Sequence, residues 1–145
     1  MMPTWKYEET VPTTASSEQI WALWSKPDEW NRWDDGLEWI IFDGPFENGN
    51  KGRLKPVASP VVKFVILEVQ KNRGFRGRSF LPMTHMDFTH TYTPEDSHEQ
   101  GGRIAVRVEM HGWLCPLFSR LIGRGIKKTL RETLQKFSKL AENGG

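Results

Sequence analysis

The C-terminal third of this chain constrains its fold most. From Arg103 to His111 the residues alternate strictly, with Ile104, Val106, Val108 and Met110 on one side and Arg107, Glu109 and His111 on the other. That period of two is a half-buried strand. After Gly112 the period becomes helical. Leu117, Phe118, Leu121, Ile122, Ile126, Leu130, Leu134, Phe137 and Ala141 fall on one stripe, opposite Arg124, Lys128, Arg131, Gln135 and Lys139. This predicts a helix around residues 115–141. Gly123 and Gly125 weaken its first third, where they could kink it or allow a close approach. So long an amphipathic helix must lay its stripe on another layer.

The rest of the chain supplies that layer. Residues 4–12 read as a strand bounded by Pro3 and Pro12. Ser16 and Gln19 stand three apart, as in a capping box, ahead of Ile20, Leu23 and Trp24 at helical spacing. A second short helix starts at Pro27 and carries Trp30 and Trp33 on one side. Strands follow over 38–42, 52–57, 61–70, 74–81 and 84–92, separated by turn signals such as Asn48-Gly49 and Asn72-Arg73-Gly74. Pro94 to Gly102 is polar and loop-like. Successive strands with short connections pair antiparallel. The expectation is an α+β fold in one domain, residues 1–145. A seven-stranded curved antiparallel sheet, two short helices and a long C-terminal helix make it up, and the first strand pairs with the last.

Composition narrows the function. The 145 residues carry a net charge of only +2, which gives no footprint for nucleic acid. The lone Cys115 rules out an intrachain disulfide and a cysteine-rich zinc site. Met1 to Pro12 has no apolar core of a signal peptide, and Phe64-Val65-Ile66-Leu67 falls far short of the roughly 18 residues a membrane span needs. A cytoplasmic protein without stable membrane insertion, monomer or homodimer, is expected. His85, Asp87 and His90 invite a metal reading, but alternation puts His85 and Asp87 on the face opposite His90. No metal and no cofactor are expected.

The element order resembles the START/Bet v-like (helix-grip) superfamily, and within it the polyketide cyclase/dehydrase-like branch. Short patterns in order carry the resemblance: the opening strand with Ser16-Ser17-Glu18-Gln19-Ile20-Trp21, the Pro27…Trp30…Trp33 helix, Gly44-Pro45-Phe46…Gly49…Gly52-Arg53-Leu54-Lys55-Pro56, and Phe88-Thr89-His90-Thr91-Tyr92 followed by Gly101-Gly102-Arg103-Ile104. The resemblance implies a helix gripped by the sheet, an interior cavity, and a short helix bearing Trp30 and Trp33 at the cavity mouth. It does not imply a reaction, because one fold hosts many functions.

The inward parity of the strands gives the expected lining: Phe88, His90, Val106, Val108 and Met110 from the sheet, and Ile122, Ile126 and Leu130 from the helix. His90 is the one polar group on an apolar wall and the only candidate catalytic residue. Its imidazole could orient a ligand carbonyl or move a proton. The ordinary alternative is a core histidine hydrogen-bonded to its neighbours. Arg76, Arg78, Asp87, Arg107 and Glu109 share the outer face and read as cross-strand ion pairs. The basic stripe of the long helix reads as its solvated back. Three functions remain: a carrier or sensor binding a lipid-like, aromatic or polyketide-like molecule; a cyclase or dehydratase that shapes its substrate around His90; and a partner-binding regulatory domain.

Overall fold

The computed structural model describes residues 2–95 and 101–144. Residues 96–100, within the loop expected over Pro94 to Gly102, lie outside the described residues, as does the terminal Gly145. Seven strands form one antiparallel sheet: β1 (Thr4–Thr13), β2 (Leu37–Phe42), β3 (Lys51–Pro56), β4 (Val62–Gln70), β5 (Gly74–Leu81), β6 (Thr84–Pro94) and β7 (Gly102–Gly112). Their order is β1-β7-β6-β5-β4-β3-β2. The first strand pairs with the last, with Trp5 opposite Met110 and Val11 opposite Ile104. Apolar parity sets this register, because a one-residue slip would turn Ile104 to Met110 out of the core. Bulges between Leu37 and Trp39 and between Ile66 and Glu68 increase the local twist and help the sheet to curl.

Two short helices follow β1. The capping box forms: the Ser16 hydroxyl accepts from the Gln19 amide and the Gln19 side chain accepts from the Ser16 amide, opening α1 (Ser17–Trp24). A 3₁₀ helix, Pro27–Arg32, comes next. Asp28 ties it to β2 by accepting from the Phe42 amide at 2.8 Å. Between them these helices bring Trp24, Trp30 and Trp33 over one end of the concave face.

The C-terminal helix differs from the expected single run. It comprises α2 (Cys115–Phe118), a π turn over Ser119–Gly123, and α3 (Arg124–Glu142). Residues four apart drift by about 40° on an ideal α-helix, and a wider turn removes that drift. Phe118, Ile122 and Ile126 therefore stay aligned toward the sheet. Leu117 and Leu121, counted above in the same apolar stripe, face solvent instead, at 49% and 68% exposure. Gly123 sits where a side chain cannot, since a Cβ there would lie 2.8 Å from the Trp5 ring.

Polar contacts pin α3 along β1. Glu142 accepts from the Thr14 amide and hydroxyl at 2.8 and 2.7 Å, and the Ser138 hydroxyl donates to Thr13 at 2.7 Å. Arg131 pairs with Glu9 at 2.8 Å. Arg131 thus links helix to sheet while staying exposed, as expected of the solvated back. Glu9 is an ionisable group on the inward parity of β1.

Candidate functional site

The concave face is fully buried at one end and partly exposed at the other. At the buried end α1 and the 3₁₀ helix lower their tryptophans onto the sheet. Trp24 stacks on Phe137 at 5.6 Å, Trp33 meets the same ring edge-on at 4.9 Å, and Trp30 stacks on Phe75 at 5.2 Å. The Trp30 indole donates to the Trp24 carbonyl at 3.0 Å. Both Trp30 and Trp33 are buried. Expected at a mouth, they form the end wall of the interior.

The helix stripe records the same division. Leu134, Phe137 and Ala141 are buried under this wall. Ile122, Ile126 and Leu130, on the same face but nearer the helix start, remain half-buried. Opposite them Phe88 is also half-buried, although it lies on β6, in the interior of the sheet, with inward parity between Met86 and His90. Its cross-strand neighbour on β5 is Gly77, where an added methyl would meet nothing nearer than Ile66 at 3.6 Å. Phe88, Ile122, Ile126 and Leu130 are inward apolar side chains that pack against the core yet keep contact with solvent.

Val106, Val108 and Met110 were expected to line a cavity. They are 0–1% exposed. Side chains this closed touch no water-sized gap, so here they are the packed floor beneath the lining. β1 and the helix start cover them, because Met110 pairs with Trp5 and Trp5 lies against Gly123.

His90 marks the boundary between the packed end and the partly exposed one. Its ring stacks on Phe75 at 4.4 Å with an 8° interplanar angle and meets Trp24 edge-on at 5.7 Å. Its Nδ1 is buried with no hydrogen-bond partner. No charge offsets the loss of water, and burial pushes the imidazole down to about 3. His90 is therefore neutral at pH 7. It offers one donor and one acceptor, and it is a weak base. The Trp33 indole nitrogen is the second buried polar atom of this end without a partner.

Asp34, absent from the sequence reading, follows Trp33 at the end of the 3₁₀ helix. Burial raises its pKa, against a hydrogen bond from the Gly36 amide at 2.9 Å. Its signal in the sequence was only a carboxylate next to a buried tryptophan, which is common on surfaces too.

The outer face carries separate chemistry. Arg78 holds Asp87 through two bonds of 2.7 and 2.9 Å, and Asp87 is buried by the pairing. His85 lies beside His111, not His90, with ring centroids 5.4 Å apart. Among the described residues no three His, Cys, Asp or Glu side chains converge as metal ligands. A recess of about 260 Å³ lies over Glu68, Arg76, Thr89 and Thr91. Phe75, His90 and Tyr92 also contribute to its lining, so it reaches the strands that carry the aromatic end.

A seven-stranded antiparallel sheet curled on a long C-terminal helix defines a helix-grip domain. The chain belongs to the family described as polyketide cyclase / dehydrase and lipid transport, whose model matches residues 4–142. A search of curated proteins found no match. Several solved structures share the fold. A point mutant of norcoclaurine synthase from Thalictrum flavum, in complex with a transition state analogue, has a TM-score of 0.75 at 16% identity, covering 99% of this chain and 97% of that one. Ara h 8.0201 has a TM-score of 0.74 at 12% identity, covering 97% and 99%. StfQ, a di-domain ARO/CYC from the steffimycin biosynthetic pathway, has a TM-score of 0.78 at 11% identity, covering 97% of this chain and 51% of that one. At such identities the likeness is one of fold. No helix among the described residues is long and apolar enough to cross a membrane.

Proposed function

We propose that this protein binds an apolar small molecule between the first half of its long helix and the concave sheet, and acts as a cytoplasmic carrier or sensor. One observation supports the reading: Phe88 on the sheet and Ile122, Ile126 and Leu130 on the helix stay half-exposed on the inward side, whereas the same stripe is sealed at Leu134 and Phe137. Burying an apolar ligand there removes both walls from water, at about 25 cal/mol per Å². The family's description names lipid transport beside cyclisation, and both need a cavity of this kind.

Binding is favoured over turnover by the chemistry of His90. An imidazole held down to about 3 takes up a proton poorly at neutral pH, so it is ill suited as a general base. Its unpartnered Nδ1 instead suits a ligand hydroxyl or carbonyl reaching the aromatic end. The cyclase reading keeps one support, the other half of the family's description.

Native mass spectrometry of protein purified from its own host tests the proposal. The expected result is a co-purifying apolar molecule bound once per chain. Titration with a fluorescent fatty acid should saturate, and Ile126→Trp should abolish uptake while the fold persists. If no apolar probe binds the wild type, or if Ile126→Trp binds it equally well, the reading falls.

A further inference from the structure

One end of the molecule exposes apolar side chains where the packing does not require them. Three separate segments meet there: the start of β1, the β5–β6 turn and the β7–α2 junction. The Trp113 amide donates to the Met83 carbonyl at 3.0 Å, and the Gly112 amide to the Pro3 carbonyl at 3.2 Å. Met83 and Trp113 are 67% and 60% exposed, next to the Leu117 and Leu121 already described, and Met2 is exposed beside them. Met83 holds the turn in the left-handed region with φ 50°, and this presents its side chain at the tip. A cluster of this size on one tip is unlike isolated surface leucines.

The charge behind the tip has one sign. Arg120, Arg124, Lys127 and Lys128 follow within the π turn and the start of α3, and no Asp or Glu occurs between Cys115 and Arg131. None of these four is in an ion pair among the described residues. Lys127 lies instead 5.8 Å over the Trp5 ring. Leu117, Leu121, Arg124 and Lys128 share one helix face, so the surface grades from apolar at the tip to basic one turn behind.

We infer that this tip docks on an anionic lipid surface. Tryptophan and leucine at the tip suit the boundary between headgroups and acyl chains, and the basic residues behind it reach the phosphates. A second copy fits less well. A two-fold interface through the same patch would bring Arg120 and Arg124 against their own equivalents. The location gives the docking a purpose. Ile122 and Ile126, half-exposed on the inward stripe, lie on the inner side of the same turns, so docking sets the partly exposed end of the interior against the bilayer. That purpose rests on the carrier reading; the docking does not.

The test is co-sedimentation of the ligand-free protein with phosphatidylcholine vesicles, with and without phosphatidylserine. Binding is expected only with phosphatidylserine and should weaken as salt rises. Leu117→Ser with Leu121→Ser should abolish it. Arg120→Gln with Arg124→Gln should weaken it about fivefold for each charge removed. Lys139→Gln and Val57→Ser, away from the tip, should leave it unchanged. Circular dichroism checks that each variant folds. The inference is overturned if anionic vesicles bind no better than neutral ones, or if the control variants lose as much as the tip variants. It is equally overturned if the wild type is a dimer that Leu121→Ser dissociates. Vesicle binding without fatty-acid uptake would sink the carrier reading and leave the docking standing; uptake without vesicle binding would do the reverse.

Discussion

His90 lies flat on Phe75, with ring centroids 4.4 Å apart and planes within 8°, and its Nδ1 reaches no partner. A polar ring is thus used as an aromatic one. The arrangement holds only while the ring is neutral, because a charge there would be buried without a counterion.

Stability should therefore depend on pH through this residue. Its folded pKa of about 3 lies below the ordinary imidazole value of 6.5, so below pH 6.5 the unfolded chain binds a proton that the folded one refuses. The sign is a contribution fully present above pH 6.5 and lost as pH falls toward about 3, by up to about 1.4 kcal/mol per pH unit. Urea unfolding between these limits should show the slope, and His90→Phe should flatten it without loss of fold. The same variant should weaken binding of an oxygenated ligand by about 1–3 kcal/mol through the lost hydrogen bond. Unchanged affinity would make His90 packing alone.

Asp34 predicts the opposite slope. Burial raises its folded pKa above the ordinary aspartate value of 3.8, so the folded state holds its proton longer than the unfolded one. Its contribution is present below that value and is lost as pH rises through the folded pKa. Asp34→Asn keeps an oxygen for the Gly36 amide and removes the buried charge. It should raise Tm at pH 7 and leave Tm nearly unchanged in acid. A lower Tm at pH 7 would mean that the charge is well solvated.

The division of the helix stripe predicts unequal truncation costs. Leu134→Ala opens a cavity under the aromatic wall and should cost about 2–5 kcal/mol. Ile126→Ala removes a side chain that is already half-exposed, so little enclosed cavity forms, and the loss should be about 1 kcal/mol. Denaturant titration of the two variants compares them directly. Equal losses would mean that the interior at Ile126 is as tightly filled as at Leu134.

Gly123→Ala sets two effects against each other. Alanine favours a helix over glycine by about 1 kcal/mol. Its Cβ would lie 2.8 Å from the Trp5 ring, which stacks on Tyr7 and sits beneath Lys127. Overpacking of this kind costs about 1–3 kcal/mol, so a net fall in Tm is expected. A rise would mean that Trp5 yields freely.

Sequence alone determined the parts of this protein that depend on local periodicity. Alternation over Ile104 to Met110, the capping box at Ser16 and Gln19, and the helical stripe ending at Ala141 each fix a chain segment through near neighbours, and the segments found correspond to them. The pairing of β1 with β7 followed as well, because a sheet closing on one helix leaves few ways to place its first and last strands. Tertiary structure decided what those periodicities face. Phe88 and Val108 have the same inward parity and pair directly across β6 and β7, yet one stays half-exposed and the other is sealed. Parity reports a side of the sheet and not what covers it. Trp30 and Trp33 became an end wall, and Leu117 and Leu121 left the apolar stripe, because a π turn and the descent of two short helices set distances between segments far apart in the chain. Those distances arise only when all the elements pack together, which no local pattern encodes.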